Sequence, residues 1–343
     1  MNYMINAKMG FDRKYVYNIR LQDNDFDLVK NHYSQIPEIK NISAASHVPG
    51  VGHIHDTDIR VNIDDEKQTG HYFSVDENYL DVMGLELIKG NNFPENLSKE
   101  NESLIIASES FIKRLNLGTP AEAIGKSVII DDSTLVQIIG VIKDYKYVAL
   151  FLPERPLFLR YKPSQFRVAA LRIDGGTTPS LIVKLKTEWD KLDQNKQFEG
   201  EFLDAEIKDY YSFFEDILYA VAFASALAIV IACLGLLGMA TYSAQTKIKE
   251  IGVRKVYGAT NKSIVKLISK TYLKLFIIAS VIAAPLAYLI NNAWLQYIAH
   301  HTSFGFGTIF IGIFTVIVFG MLTITSQTLK AANINPAQSL RYE

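Results

Sequence analysis

The apolar positions of this chain change their rhythm near residue 205. Before it they come in short pieces bounded by turn residues: Asn41–Val48, His71–Val75, Ser103–Ala107, Ser127–Ile130, Leu135–Ile142, Arg155–Tyr161 and Ala169–Ile173. Short runs rich in β-branched and aromatic residues read as strands. Helical spacing occurs between them, at 26–36 before Pro37 and at Glu77–Met83, Ser108–Asn116 and Thr178–Leu192. Strands often follow one another without a crossover helix, so the pattern predicts an α+β domain and not a parallel doubly wound sheet. This domain is expected over 1–205. A subdomain at about 90–163 reads as inserted in a first layer made of 15–88 and 165–205.

After 205 the rhythm is that of helices throughout. One helix is predicted from Ala205 onward, a stalk over 206–216 that continues into the membrane. Tyr210, Tyr211, Phe213, Phe214 and Tyr219 crowd its start, and some are expected at the headgroup level, where Tyr is enriched. Ile217–Thr246, Leu275–Ala299 and Thr302–Leu329 then contain no Asp, Glu, Lys, Arg or His. Each exceeds the ~20 residues that a helix needs to cross a bilayer. The predicted order is therefore a span at 217–246, a loop at 247–274, spans at 275–299 and 304–329, and a tail at 330–343. Pro285 and Trp294 fall within the second span, and the glycines of the third are tolerated in membrane helices. The third helix itself is expected to begin near Thr308, after a bend in TSFGFG.

Charge sets the orientation. The segment Lys247–Lys274 holds eight Lys or Arg and one acid, Glu250, whereas the turn between the second and third spans carries only His300 and His301. By the positive-inside rule the basic loop and the C-terminus are cytoplasmic, which places 1–215 outside. The first residues, MNYMINAKMGFDRKYVYNIRL, contain no apolar core of a signal peptide, so further membrane sequence upstream is expected. The net charge is −1, and no nucleic-acid partner is expected. With the single Cys233 inside an apolar run, neither an intramolecular disulfide nor a cysteine metal site is available.

Candidate chemistry is sparse. Gly118–Ser127, GTPAEAIGKS, resembles a phosphate loop, but Pro120 stands where that spacing requires Gly; it reads as a turn into the strand at Ser127. In HIHDTD, His53 and His55 would share one face of a strand, as zinc ligands can. No third ligand is evident, Gly50 and Gly52 suggest a mobile loop, and no metal site is expected. No paired carboxylates or nucleophile–base arrangement can be assembled, so the chain is not expected to be an enzyme and is expected to bind no cofactor.

The basic loop is more informative. Ile248, Ile251, Val253, Val256 and Tyr257 alternate with Lys249, Glu250, Arg254 and Lys255 at spacings suited to a short surface helix. Gly258 is placed to close it, because Gly accepts the left-handed conformation, and Thr260 to cap the next helix. Two roles suit such a segment, an anchor to anionic lipid and a docking element for a cytoplasmic partner. The defined elbow favours docking.

At this point the chain resembles a known family. KIKEIGVRKVYGATNKSIVKLISKTYLKL resembles the cytoplasmic segment of the FtsX-like permeases, the membrane subunits of MacB/LolCDE-type ABC transporters. The tail, with Asn335, Pro336, Leu340, Arg341 and Glu343, is similar to that family's end, and Ala284–His300, with Pro285 and Trp294, to one of its spans. FSVDENYLDVMGLELIKGNNF and AIGKSVIIDDSTLVQIIGVIKDYKY resemble its MacB-like periplasmic core domain. The chain lacks the span that precedes this domain in the family. Its start resembles instead the segment after the fifth span of double-length, eight-span permeases common in Bacteroidetes, so that it would be their C-terminal half.

The resemblance implies an inner-membrane, multi-pass subunit that is not catalytic. It implies a partner ATPase that uses ATP and magnesium, touched by Glu250, Ile251, Gly252, Arg254, Lys255, Gly258 and Ala259 of a coupling helix. It also implies a second permease copy or a missing N-terminal half, as a homo- or pseudo-dimer in the lipid bilayer, with a periplasmic adaptor as a further partner. Mechanotransmission follows: nucleotide binding inside changes the outer domain through the stalk, in export or lipoprotein handling. Two alternatives remain, a regulatory scaffold that activates a periplasmic cell-wall hydrolase and a membrane sensor protein.

Overall fold

The computed structural model describes residues 8–52, 54–95, 97, 102–149, 152–174, 179–295 and 305–332. The chain divides into two units, Met1–Phe213 and Phe214–Glu343.

The first unit holds two sheets. In the smaller, β1 (Val16–Arg20), β2 (Ile39–Ala45), β10 (Val168–Ile173) and β11 (Gly200–Phe202) lie in the order β11-β1-β10-β2, all antiparallel. Period-2 alternation directs their side chains to two cores. Tyr17, Ile19, Ala169 and Leu171 face α1 (Phe26–Tyr33) and α5 (Pro179–Leu192), which bring Val29, Tyr33, Leu185 and Trp189. Val16, Val168 and Ala170 point the other way, into a central core.

The larger sheet comprises β3 (His55–Arg60), β4 (Gln68–Ser74), β5 (Leu87–Gly90), β6 (Leu104–Ser108), β7 (Ser127–Ile130), β8 (Thr134–Ile142) and β9 (Leu157–Arg160). Their order is β5-β8-β6-β9-β4-β3-β7, and a further β7–β8 pairing closes the ring. Closure pairs β7 on both sides, while β5, outside the ring, remains an edge strand paired with β8 alone among the described residues. Val128, Ile130, Val136, Ile138 and Phe158 fill the inside with Phe111 of α3 (Glu109–Arg114). Phe73, Ile106 and Ile142, each next to an inward residue (Tyr72, Ile105 and Val141), face the central core together with Tyr79 and Met83 of α2 (Tyr79–Met83). Near Gly140 the outer edge of β8 passes from β7 to β5. A Cβ on Gly140 would collide with the Asn91 carbonyl oxygen, so only Gly fits.

The α+β class is as expected, but the layers are cut elsewhere. The larger sheet recruits β3 and β4 as well as β5, so it begins near residue 55 instead of 90. The reason is long-range pairing: β4 runs parallel to β9, with Tyr72 opposite Phe158, and β3 meets β7. HIHDTD is correspondingly no mobile loop from His55 onward, because His55 pairs with Tyr72 in β3–β4. The stretch that resembles a phosphate loop is instead a helix start: Thr119 and Glu122 form a capping box for a one-turn helix, α4 (Pro120–Ala123).

The second unit is helical. Among the described residues, α6 (Leu203–Thr246), α8 (Asn261–Leu295) and α9 (Phe306–Ala332) are the three helices long and apolar enough to cross a membrane, and α7 (Ile248–Val256) lies between α6 and α8. Stalk and first span are one helix. At 1.5 Å per residue its 44 residues reach about 66 Å, roughly twice a hydrocarbon core. Likewise α8 begins at Asn261 and runs without a break into the second span and past Pro285 within it. The third helix starts at Phe306, two residues ahead of the expected Thr308.

Candidate functional site: a stalk root and a basic elbow

The root of α6 belongs to the outer unit. Leu203, Ile207 and Tyr211, spaced four apart on one helical face, are at most 1% exposed in the central core. Burial of side chains of this kind stabilises by about 1.5–3 kcal/mol each. Tyr211 is thus a core residue and not a headgroup anchor; Phe213 and Tyr219, by contrast, are exposed. Polar contacts add to the grip. Glu206 accepts from Asn18 at 2.9 Å and pairs with Arg20. Arg13 pairs with Asp204 at 2.9 Å. Gly50, at φ +86°, packs against Ile207, and its N–H donates to the Tyr147 carbonyl at 2.8 Å. A Cβ on Gly52 would strike the Tyr210 hydroxyl.

The same helix ends in a small core of the second unit. Ala240 joins Ile251 of α7, Ile264, Ile268 and Tyr272 of α8, and Ile324 of α9. The Tyr272 hydroxyl pins α8 to α6, donating to the Met239 carbonyl at 3.1 Å and lying 3.0 Å from the Ser243 hydroxyl. Ala244, at 4% exposure, lies one turn beyond Ala240.

Between α6 and α8 stands the elbow. Of the residues expected to touch an ATPase, Ile251 and Gly252 turn inward and are buried. Glu250 and Arg254 face outward as an i,i+4 ion pair at 2.8 Å, each about half exposed. Val253, Val256 and Tyr257 are exposed too, Tyr257 at 88%, so the outward face is apolar in its middle and charged around it. Gly258 sits at φ +86°. Its N–H donates to the Lys255 carbonyl at 2.9 Å, and the Ala259 N–H to the Arg254 carbonyl at 3.0 Å. Those two bonds are the Schellman arrangement that ends a helix on a left-handed residue. The Thr260 hydroxyl accepts from the Ser263 N–H at 3.4 Å and opens α8.

The other expected residues fall elsewhere. Pro285 is inside α8, and Trp294 belongs to the same helix. Asn335, Pro336, Leu340, Arg341 and Glu343 lie outside the described residues, as does His53. The His55 ring stacks on Tyr72 at 5.1 Å and meets His47 edge-on at 4.3 Å. Burial first, then the Arg160 charge, holds its pKa below the usual imidazole value. Among the described residues no group of three or more His, Cys, Asp or Glu could hold a metal. Sequence reasoning passed over Ile207 and Tyr272; the i, i+4, i+8 spacing of Leu203, Ile207 and Tyr211 was the available signal for the first.

An α+β unit whose last helix continues into the first of three helices long and apolar enough to cross a membrane is the arrangement of a membrane protein with a large extramembrane domain. Residues 2–194 match the family of the MacB-like periplasmic core domain, and 222–336 match the FtsX-like permease C-terminal family. The chain belongs to the MacB-like, FtsX-like permease family, whose members are the membrane components of ABC transporters and work with cytoplasmic ABC ATPases.

Solved structures with some likeness include the periplasmic region of MacB from Actinobacillus actinomycetemcomitans, 16% identical, with 60% of this chain and 96% of that one covered and a TM-score of 0.43. Another is the extracellular domain of the noncanonic ABC-type transporter YknZ from Gram-positive bacteria, 14% identical, covering 52% of this chain and 91% of that one at a TM-score of 0.37. No curated protein matches the chain.

Proposed function

We propose that this chain is a non-catalytic permease subunit that passes the motion of a cytoplasmic ATPase to an extracytoplasmic domain. ATP and magnesium are used by the partner, and this chain supplies the lever. The observation that carries the reading is α6 itself. One helix places Leu203, Ile207 and Tyr211 in the core of the outer unit and Ala240 beside the buried Ile251 of α7. A push on α7 therefore acts on a packed core and not on a loose tether, and packed cores transmit displacement. The charge asymmetry of the loops supports an orientation with the elbow and the C-terminus in the cytoplasm and 1–215 in the periplasm. A second permease copy, or an N-terminal half, completes the assembly in the inner membrane.

The exposed Val253, Val256 and Tyr257, bordered by Glu250 and Arg254, form the docking face. Exchanging the pair, Glu250→Lys with Arg254→Glu, retains an i,i+4 ion pair within α7 while it inverts the charges shown to the partner. Loss of ATPase from a pulldown of full-length chain then reports on docking and not on helix stability. An ATPase retained at wild-type yield by the exchanged protein would overturn the assignment of this face.

A further inference from the structure

The outer unit contains a cleft of about 730 Å³ between the start of α1, the turn after β4 and the 3-10 turn Pro163–Gln165. Six carboxyl groups line it, those of Asp23, Asp25, Asp27, Asp76, Glu77 and Glu95, against two cationic side chains. Both cations are already engaged: Lys30 pairs with Glu77 at 3.1 Å, and Arg167 donates to the carbonyls of Ser164 and Phe166 at 3.1 and 2.8 Å. The cleft is strongly negative.

Asp76 sets this cleft apart from an ordinary acidic surface. It is 2% exposed, and its Oδ1 accepts from the Ser43 hydroxyl at 2.6 Å, but its Oδ2 is buried without a hydrogen-bond partner. A carboxylate oxygen in that position is costly unless a donor reaches it. The wall is also specific. Phe26, Tyr161 and Phe166 meet edge-on, with ring centroids 5.8 and 6.1 Å apart. The Lys30 ammonium already lies 5.7 Å from the centre of the Phe26 ring, so an aromatic wall of this cleft accepts an alkylammonium.

We propose that this cleft binds a linear polyamine, with one ammonium donating to Asp76, others meeting the remaining carboxylates, and the methylene chain lying along the aromatic wall. The spacing of the acids decides against a metal ion: among the described residues no three of them converge on one point. Spaced carboxylates with an apolar strip match several positive centres joined by methylenes. An anionic ligand is disfavoured by the charge.

The test uses the full chain in nanodiscs of zwitterionic phosphatidylcholine, titrated with spermidine in a calorimeter. Saturable binding is expected, weakened about ten-fold or more by Asp76→Asn, which removes a charge-assisted bond but retains the acceptor for Ser43. The exposed Glu95→Gln is expected to weaken binding by a smaller factor, and serves if Asp76→Asn fails to fold. Octane-1,8-diol, uncharged, is expected not to bind. Binding should also release a proton below pH about 7, where burial holds Asp76 protonated, and the released proton should vanish in Asp76→Asn; Glu77 and Lys30 are the charged groups facing it. The proposal falls if wild type gives no saturable heat or if both variants bind like wild type. It falls equally if magnesium displaces spermidine at equal concentration, which would mark a diffuse acidic surface only.

Discussion

Gly258 offers the cleanest perturbation of the elbow. Its φ is +86°, and a Cβ placed there meets nothing within 4 Å. The cost of Gly258→Ala is therefore backbone strain without collision, about 1–2 kcal/mol for an L-residue held left-handed. Relief requires the residue to leave that conformation, which breaks the N–H bonds of Gly258 and Ala259 to the carbonyls of Lys255 and Arg254. A shift of that size raises the local opening constant about 5- to 30-fold. Asn tolerates the left-handed region and should recover much of the loss, whereas the β-branched Val should lose more than Ala. Amide hydrogen exchange over 255–263, in nanodiscs, reads this directly: protection should fall in the order Gly, Asn, Ala, Val. Recovery of ATPase in a pulldown should fall in the same order. Wild-type protection in Gly258→Ala, or an Asn variant worse than Val, would refute the argument that the left-handed cap holds the elbow.

Two further outcomes follow from the outer unit. Ile207→Ala, at 1% exposure in the central core, should destabilise that unit by about 2–5 kcal/mol, while Leu28→Ala, 56% exposed, should change it by less than about 0.5 kcal/mol; denaturant unfolding followed by exchange of β1 and β10 amides distinguishes them. Asp76 is pushed up to about 7 from 3.8 by burial, so the folded state binds its proton more tightly than the unfolded state. Its contribution to stability is then full at acid pH, is lost as pH rises from 3.8 towards about 7, and changes little above. Asp76→Asn should flatten that slope and be the more stable protein at pH 8, as measured by unfolding across that range; a slope unchanged in the variant would assign it to another group.

Much of the site was legible in the sequence because its causes are local. Left-handed closure at Gly258 follows from the absence of a side chain, and the Thr260 cap from a hydroxyl within reach of the amide three residues on. Three stretches free of charge, each longer than a bilayer crossing, needed no neighbour to be read as spans. The alternation in Ala169–Ile173 likewise identified a strand without identifying its partner.

What local pattern could not supply was pairing across distance. Val16–Arg20, Leu87–Gly90 and Gly200–Phe202 become strands because β10, β8 and β1 present complementary edges, not because their own sequences insist on it. The parallel contact of β4 with β9 moved the boundary of the larger sheet to residue 55, and the β7–β8 pairing closed it. Tyr211 could sit at a headgroup or in a core, and only the packing of Ile207 and Leu203 beside it placed it in the core. Asp76 reads as an ordinary turn acid until Ser43 and the surrounding strands bury it. The sequence by itself thus determined the membrane crossings, the elbow and the strand periodicity, which arise from forces acting within a few residues. The tertiary structure decided register, closure and burial, because those depend on which distant surface each segment meets.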